Sequence, residues 1–233
     1  IPPGTFELFW LDMKKPGSPA PKIEILSFKM MSHAVTNQDF IGFVKNNPEW
    51  RKSHVSSIFA EKDYLFQFES DLKLKKGVLP NAPVNYVSWF AARAYCASQN
   101  MRLPMTNEWE YVGSASETAK KAVKDPDFLK RILEWYGKPQ TNEGLPPVGQ
   151  TYRNVYGLYD MHGLIWEWVE DFNANLVTGE SRSDSSFNRD LFCGSGSLSA
   201  GDKENYAAFM RFAFRSSLKG SSATWNLGFR CVK

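Results

Sequence analysis

The chain has 233 residues, of which 42% are hydrophobic and 15% aromatic, so it holds enough apolar material for a packed core and is not intrinsically disordered. Its 28 Lys and Arg against 25 Asp and Glu give a formal charge of +3 with no clustered basic stretch, which excludes a nucleic-acid footprint. No apolar run approaches the roughly 18 residues that a transmembrane helix needs. Because the sequence begins at Ile1 rather than Met, we expect a leader that was removed or lies outside it.

Helix signals occur at four places along the chain. They are an N-cap at Thr36 or Asn37 with a stop at Asn47-Pro48, an N-cap at Ser88, an N-cap at Thr106 or Asn107, and Asp125-Pro126 with Gly137 after the helix. In the third helix, Asn107 and Glu110 are expected to form a capping box. Residues 23–30, 165–169 and 209–214 alternate as strands do. Few short helices, few strands and much irregular chain predict an α+β fold, and the lack of a linker predicts one domain over residues 1–233.

Seven motifs follow one another along nearly the whole chain. They are Gly4-Thr-Phe6; Val35-Thr-Asn37 with Phe40; Pro83-Val-Asn-Tyr-Val-Ser-Trp89 with Ala94-Tyr-Cys96; Arg102-Leu-Pro104 with Glu108-Trp-Glu-Tyr111; Pro147-Val-Gly149, Asn154 and Gly157-Leu-Tyr-Asp-Met161; Gly163-Leu-Ile-Trp-Glu-Trp168; and Asn226-Leu-Gly-Phe-Arg-Cys231. In this order they resemble the formylglycine-generating-enzyme family, also called the sulfatase-modifying-factor domain. The resemblance implies a variant of the C-type-lectin fold that is rich in irregular loops.

Two of the three cysteines occupy positions that the family joins by a disulfide. The resemblance implies a bridge between Cys96 and Cys231. Such a bridge would close a loop of well over 100 residues, ideally worth about 4–5 kcal/mol in the chain-entropy account. The alternative is two buried thiols, since free Cys is common in protein cores. A bridge would indicate an oxidising compartment, so we expect a periplasmic or otherwise extracytoplasmic protein.

The third cysteine does not match the family's catalytic pair. The family uses two copper-binding cysteines shortly after a Gly-Gly-Ser segment, which corresponds here to Ser195-Gly-Ser197. The two catalytic positions then fall near Ala200 and Ala207, and Cys193 precedes the segment. Because copper(I) needs soft thiolate ligands, we expect neither copper binding nor formylglycine generation, and we interpret Cys193 as a buried apolar cysteine.

The family's structural calcium sites are also altered. The Asn that helps to hold calcium corresponds to Leu164, which has no oxygen donor, and the segment over residues 137–147 is shortened. At most one structural calcium is therefore expected, and no other cofactor. The nearby carboxylates indicate a solvated or Arg-paired face; they are Asp160, Glu167, Glu170 and Asp171.

Other side chains offer few alternative active sites. His33, His54 and His162 lack metal-ligand spacing, and His162, inside the central motif, is interpreted as a surface loop residue. Three arginines match recurrent arginines of the family and are interpreted mainly as ties to loop carbonyls and carboxylates; they are Arg211, Arg215 and Arg230.

The sequence predicts an exported accessory or binding module, a pseudoenzyme whose groove recognises a protein segment or a small molecule. The predicted groove consists of Ser197, Asn205, Tyr206, Arg211 and Trp225. One alternative is a periplasmic maturation enzyme of oxidase type, acting on a siderophore chromophore or a copper enzyme. Its candidate catalytic residues are Cys193, Glu204, Tyr206 and His162. A second alternative is a structural component of a surface or secretion assembly, and no metal site is predicted.

Overall fold

The computed structural model describes residues 1–7, 22–138, 144–173 and 203–233, and for residues 203–205 the backbone alone. These residues form five α-helices and six short strands, in an order that mixes the two types. The helices are α1 (Asn37–Asn46), α2 (Trp89–Ser98), α3 (Thr106–Gly113), α4 (Pro126–Gly137) and α5 (Lys203–Ser216), with a 3₁₀ turn at Pro48–Trp50. The strands are β1 (Gly4–Glu7), β2 (Lys22–Ile25), β3 (Phe68–Ser70), β4 (Lys73–Leu74), β5 (Trp166–Glu167) and β6 (Leu227–Gly228). The predicted α+β class is confirmed.

The strands pair two by two in the described part of the chain. Strands β1 and β2 are antiparallel, as are β3 and β4, whereas β5 and β6 are parallel, with Trp166 opposite Leu227. The stretch 23–30 is a strand only as far as Ile25, and Met30 forms an isolated bridge to Val232. The stretch 165–169 is a strand only at Trp166–Glu167.

Three of the predicted helix starts are confirmed with their caps. The Thr36 side chain accepts a hydrogen bond from the Asp39 N–H, and the Asp39 carboxylate accepts one from the Thr36 N–H. The Ser88 hydroxyl accepts from the Ala91 N–H at 3.2 Å. The Asp125 carboxylate accepts hydrogen bonds from two N–H groups in the first turn of α4. These side chains satisfy amide donors that a helix start leaves without intrahelical partners.

The predicted start of α3 is wrong by one or two residues. Its N-cap is Met105, whose N–H donates to the Glu108 carboxylate at 2.8 Å. Thr106 is already helical, and its N–H and hydroxyl both donate to Asp171. The expected box of Asn107 with Glu110 does not form, because Glu110 is buried and binds arginines instead.

The predicted strand over residues 209–214 is also wrong, because these residues lie inside α5. A tertiary contact accounts for the difference. Arg211 and Arg215 stand four residues apart, so a helix places both on one face, where they reach the same carboxylate of Glu110.

The main core contains side chains from all five helices and from the C-terminal segment. Its largest buried apolar side chains include Phe40, Phe68, Trp168 and Phe229, each less than 2% exposed. The predicted disulfide is confirmed: Cys96 in α2 is bonded to Cys231, across 135 residues of sequence. The bridge thereby joins the middle of the chain to its C-terminal segment.

Candidate functional site

A buried cluster of charged side chains joins α3 to α5. The Arg211 Nε lies 2.9 Å from both carboxylate oxygens of Glu110, and its Nη2 lies 2.7 Å from Oε2. The Arg215 Nη1 donates to Oε1 of Glu110 at 2.7 Å. All three side chains are less than 10% exposed. We call this set the charge cluster; one carboxylate in it holds two guanidiniums.

The charge cluster carries one surplus positive charge. Burial by itself raises the pKa of the Glu110 carboxyl, but attraction to the two guanidiniums outweighs burial and brings the pKa to about 2. For Arg211, burial lowers the pKa, but the Glu110 carboxylate more than offsets this and raises it overall. Glu110 is therefore ionised at neutral pH, and two positive charges face one negative charge.

Half-buried aromatic rings lie directly beside the charge cluster. Their centroids are 4.9 Å apart for Tyr136 and Trp166, 5.3 Å for Trp135 and Trp166, and 4.5 Å for Trp166 and Phe214. The Arg211 Nη1 donates to the Tyr136 hydroxyl at 3.2 Å. Tyr136 thus connects the guanidinium to the rings. We call Trp135, Tyr136, Trp166 and Phe214 the aromatic cluster.

The strand pair β5–β6 and the neighbouring Trp109 hold this region in place. The Trp166 N–H donates to the carbonyl of Asn226 at 2.9 Å. The Trp109 indole N–H donates to Glu167 at 2.8 Å, and the Arg215 guanidinium lies 4.9 Å from the centre of the Trp109 ring. Both clusters therefore rest on elements anchored in the core.

A second buried ion pair joins Glu167 of β5 to Arg230, and its two charges balance. The Arg230 Nη2 lies 2.7 Å from Oε1 of Glu167, and its Nε lies 2.9 Å from both oxygens. The remaining Arg230 donors reach the carbonyls of Tyr159, Ser32 and Met31. This is the tying role that the sequence predicted for the recurrent arginines.

The structure places the predicted groove residues unevenly. Arg211 belongs to the charge cluster, and Tyr206 is 43% exposed near the start of α5. Trp225 is half-buried, and its carbonyl accepts from the Asn85 side chain at 2.6 Å. Cys193 and Ser197 lie outside the described residues, as do the side chains of Glu204 and Asn205. The complete groove and the alternative catalytic set therefore stay predictions.

His162 is not the surface residue that the sequence predicted. It is 2% exposed, its Nε2 lies 2.9 Å from the Gly113 carbonyl, and its ring meets Trp109 and Phe128 edge-on. Burial, and then the positive charge of Arg211, lower its pKa to about 3. His162 is therefore a neutral core residue, because the central loop folds inward against α3.

The carboxylates near the family's calcium region each have protein partners. Within residues 1–7, 22–138, 144–173 and 203–233, no group of three or more His, Cys, Asp or Glu is arranged to hold a metal ion. Asp160 accepts from the Gly149 and Thr151 N–H groups, Glu170 pairs with Arg93 and Asp171 caps α3. Leu164, which stands where the family has Asn, packs in a small apolar cluster with Ala34 and Ile165.

The described residues also do not fit copper. Cys96 and Cys231 are consumed by the disulfide, so neither offers a thiolate. Ala207, which the resemblance aligns near the family's second catalytic position, is buried in α5 and has no sulfur. Copper(I) oxidation chemistry of the family type requires thiolate ligands, and the described part of the chain supplies none.

Sequence reasoning missed the two clusters as units. The missed residues are Glu110, Trp135, Tyr136, Trp166 and Phe214. The spacing of Arg211 and Arg215, four residues apart, could have indicated a charged helix face, but the alternation of residues 209–214 favoured a strand. Glu110 stands 101 residues before Arg211, so local spacing does not indicate this partner.

Comparison with known proteins assigns the family. Residues 1–233 match the domain described as sulfatase-modifying factor enzyme 1-like, and the chain belongs to this family. PvdO from Pseudomonas aeruginosa has the same fold, with a TM-score of 0.53 over all of this chain and 92% of that chain, at 18% identity. The expected family fold is thus confirmed.

Within the described residues, none of the helices combines the length and apolar character needed to cross a membrane.

The curated relatives differ in kind and in length. The chain is 28% identical to the formylglycine-generating enzyme of Mus musculus, over all of this chain and 73% of that protein. It is 32% identical to the inactive C-alpha-formylglycine-generating enzyme 2 of Bos taurus, over 64% of this chain and 50% of that protein. It is 27% identical to the serine/threonine-protein kinase pkn1 of Chlamydia caviae, over 66% of this chain but only 24% of that protein. The chain therefore spans from about a quarter to three quarters of these relatives.

Proposed function

We propose that this chain is an exported accessory or binding module, a single domain over residues 1–233 without copper-dependent cysteine oxidation. The observation that carries the proposal is the use of its cysteines. The chain has three, and the disulfide takes two. One thiol cannot supply a two-thiolate copper site. The name of the bovine relative, an inactive formylglycine-generating enzyme 2, supports the view that members of this family exist without the activity.

The binding role is supported by the aromatic cluster beside the charge cluster. Half-buried Trp and Tyr side chains combine a large apolar surface with a polar edge, which makes them effective in recognition. Here Trp166 contacts three other rings at centroid distances of 4.5–5.3 Å. The client is a protein segment or a small molecule that covers these rings.

Export is supported by the disulfide. Structural disulfides persist in oxidising compartments such as the periplasm or the extracellular space. The Cys96–Cys231 bridge connects two core positions that are both fully buried, so it is part of the folded structure rather than a surface modification.

The test is copper binding together with cysteine oxidation. The Cu(I) affinity of the purified protein, with its disulfide intact, is measured anaerobically against a competing Cu(I) chelator. The copper-loaded protein is then incubated with a Cys-containing peptide in the presence of dioxygen as the oxidant, and the peptide is followed by mass spectrometry. We expect no tight one-to-one complex and no formylglycine, whereas the Streptomyces coelicolor formylglycine-generating enzyme serves as the positive control. The variant Cys193→Ser tests the remaining thiol. A tight complex that oxidises the peptide and is lost in C193S would overturn the proposal.

The oxidase-type alternative stays a prediction. Of its candidate residues, Tyr206 is exposed and His162 is buried against Trp109 and Phe128. If single substitutions of Cys193, Glu204, Tyr206 and His162 leave the cellular phenotype unchanged, this alternative fails. The assembly-component alternative is separated by native mass and partner pull-down from the source cell.

A further inference from the structure

The charge cluster has a surplus that the other buried ion pair lacks. Glu167 holds a single arginine, and the remaining donors of that arginine, Arg230, reach three backbone carbonyls. Glu110 instead holds two arginines, Arg211 and Arg215. Among the residues that the structure describes, no other carboxylate pairs with either of them. The same fold thus contains a balanced ion pair and an unbalanced one.

A surplus charge at this depth favours an anionic partner. The side chains of Arg211 and Arg215 are 9% and 6% exposed, so solvent compensates their charge poorly. Arg215 uses one guanidinium nitrogen on Glu110, and its guanidinium carbon lies 4.9 Å from the centre of the Trp109 ring. A guanidinium carries five N–H donors in a planar fork that fits a carboxylate in two-point contact.

The aromatic cluster adds a second recognition element next to the surplus charge. Phe214 and Arg215 are consecutive in α5, and Tyr136 connects Arg211 to the Trp166 ring. A ligand that packs on Tyr136 therefore lies close to the Arg211 guanidinium, which is 3.2 Å from the Tyr136 hydroxyl. Rings in such clusters gain from offset stacking and edge contacts with a further ring.

We propose that the site binds a carboxylate-bearing aromatic ligand, whose anionic group neutralises the charge cluster while its ring packs on the aromatic cluster. This inference deepens the proposed function and rests on it. The same chemistry is offered by a free aromatic acid and by an aromatic residue at a peptide C-terminus.

The test compares two probes that differ by one charge. N-acetyl-L-tryptophan and its neutral amide are titrated into the unmodified protein by calorimetry at low ionic strength. We expect the acid to bind at least about tenfold more tightly than the amide, and added NaCl to weaken the acid but not the amide. A peptide ending in Trp, compared with its C-terminal amide, distinguishes the peptide source from the free acid.

Variants locate the binding to the charge cluster. Arg215→Met should remove the preference for the acid, and Arg215→Lys should retain part of it, since Glu110 stays paired with Arg211 in both. The matched control is Arg93→Met, which removes a different arginine that lies 5.1 Å from an aromatic ring centre, that of Trp89. R93M should leave the preference unchanged.

The outcomes separate this inference from the proposed function. Equal affinities for acid and amide, or no binding of either, overturn the inference, and neither result needs a variant that folds. The copper and peptide-oxidation assay decides the proposed function independently. A preference for the acid that R215M and R93M weaken equally would also overturn the assignment to the charge cluster.

Discussion

Replacing Glu167 by Gln is expected to lower the free energy of unfolding by about 3–5 kcal/mol, because it leaves a buried arginine without its counter-charge. Both oxygens of Glu167 accept from Arg230, and Oε2 also accepts from the Trp109 indole N–H. Whichever oxygen becomes the amide NH₂ then faces donors instead of accepting from them. The pair is buried to 0% and 1% exposure, so water does not compensate the loss.

The measurement is urea unfolding followed by intrinsic tryptophan fluorescence, with the free energy extrapolated to water. The matched control is Glu117→Gln, which removes the carboxylate from a two-point pair with Arg131 at 2.5 and 2.9 Å. These side chains are 44% and 42% exposed, so we expect a loss of only about 0–1 kcal/mol. Equal losses in E167Q and E117Q would refute the argument that burial, rather than contact geometry, sets the cost.

Two further predictions concern acid and the disulfide. Burial lowers the His162 pKa from its ordinary 6.5 to about 3. Between these two values the unfolded chain binds a proton that the folded chain does not bind, so the free energy of unfolding decreases as the pH falls from 6.5 toward 3. The variant His162→Gln, which can still donate to Gly113, should flatten this loss in unfolding midpoints between pH 6.5 and 4.5; an unchanged slope would contradict the assignment. Glu110, with its pKa at about 2 rather than 4.5, adds a further loss only below pH 4.5. Reducing the Cys96–Cys231 bridge, which spans 135 residues, should lower the free energy of unfolding by up to about 5 kcal/mol. The same urea midpoint with and without reductant would contradict this prediction.

The helix starts show how far local sequence rules reach. Thr36, Ser88 and Asp125 each offer a side-chain acceptor to the N–H groups of the first turn, and the structure confirms all three. These contacts lie within three residues of one another, so the sequence contains every group that decides them. The disulfide could likewise be predicted from the sequence, because the family resemblance supplied the pairing of Cys96 with Cys231.

The errors occur where a distant partner decides the outcome. Asn107 could cap α3, yet the helix starts earlier because Asp171, 65 residues away from Thr106, accepts from the backbone there. Residues 209–214 alternate like a strand, but they form a helix, in which Arg211 and Arg215 lie on one face and both bind the Glu110 carboxylate. Neither partner can be recognised from local spacing.

The sequence by itself determined the α+β class, the family and three helix caps, because each depends on residue identity or on neighbours along the chain. Only the tertiary structure decided that His162 is buried, that Glu110 holds two arginines, and that Trp166 stands against Tyr136 and Phe214. The physical reason is that burial and net charge belong to a region of space. Residues 101 positions apart, such as Glu110 and Arg211, share one dielectric environment only after the chain has folded.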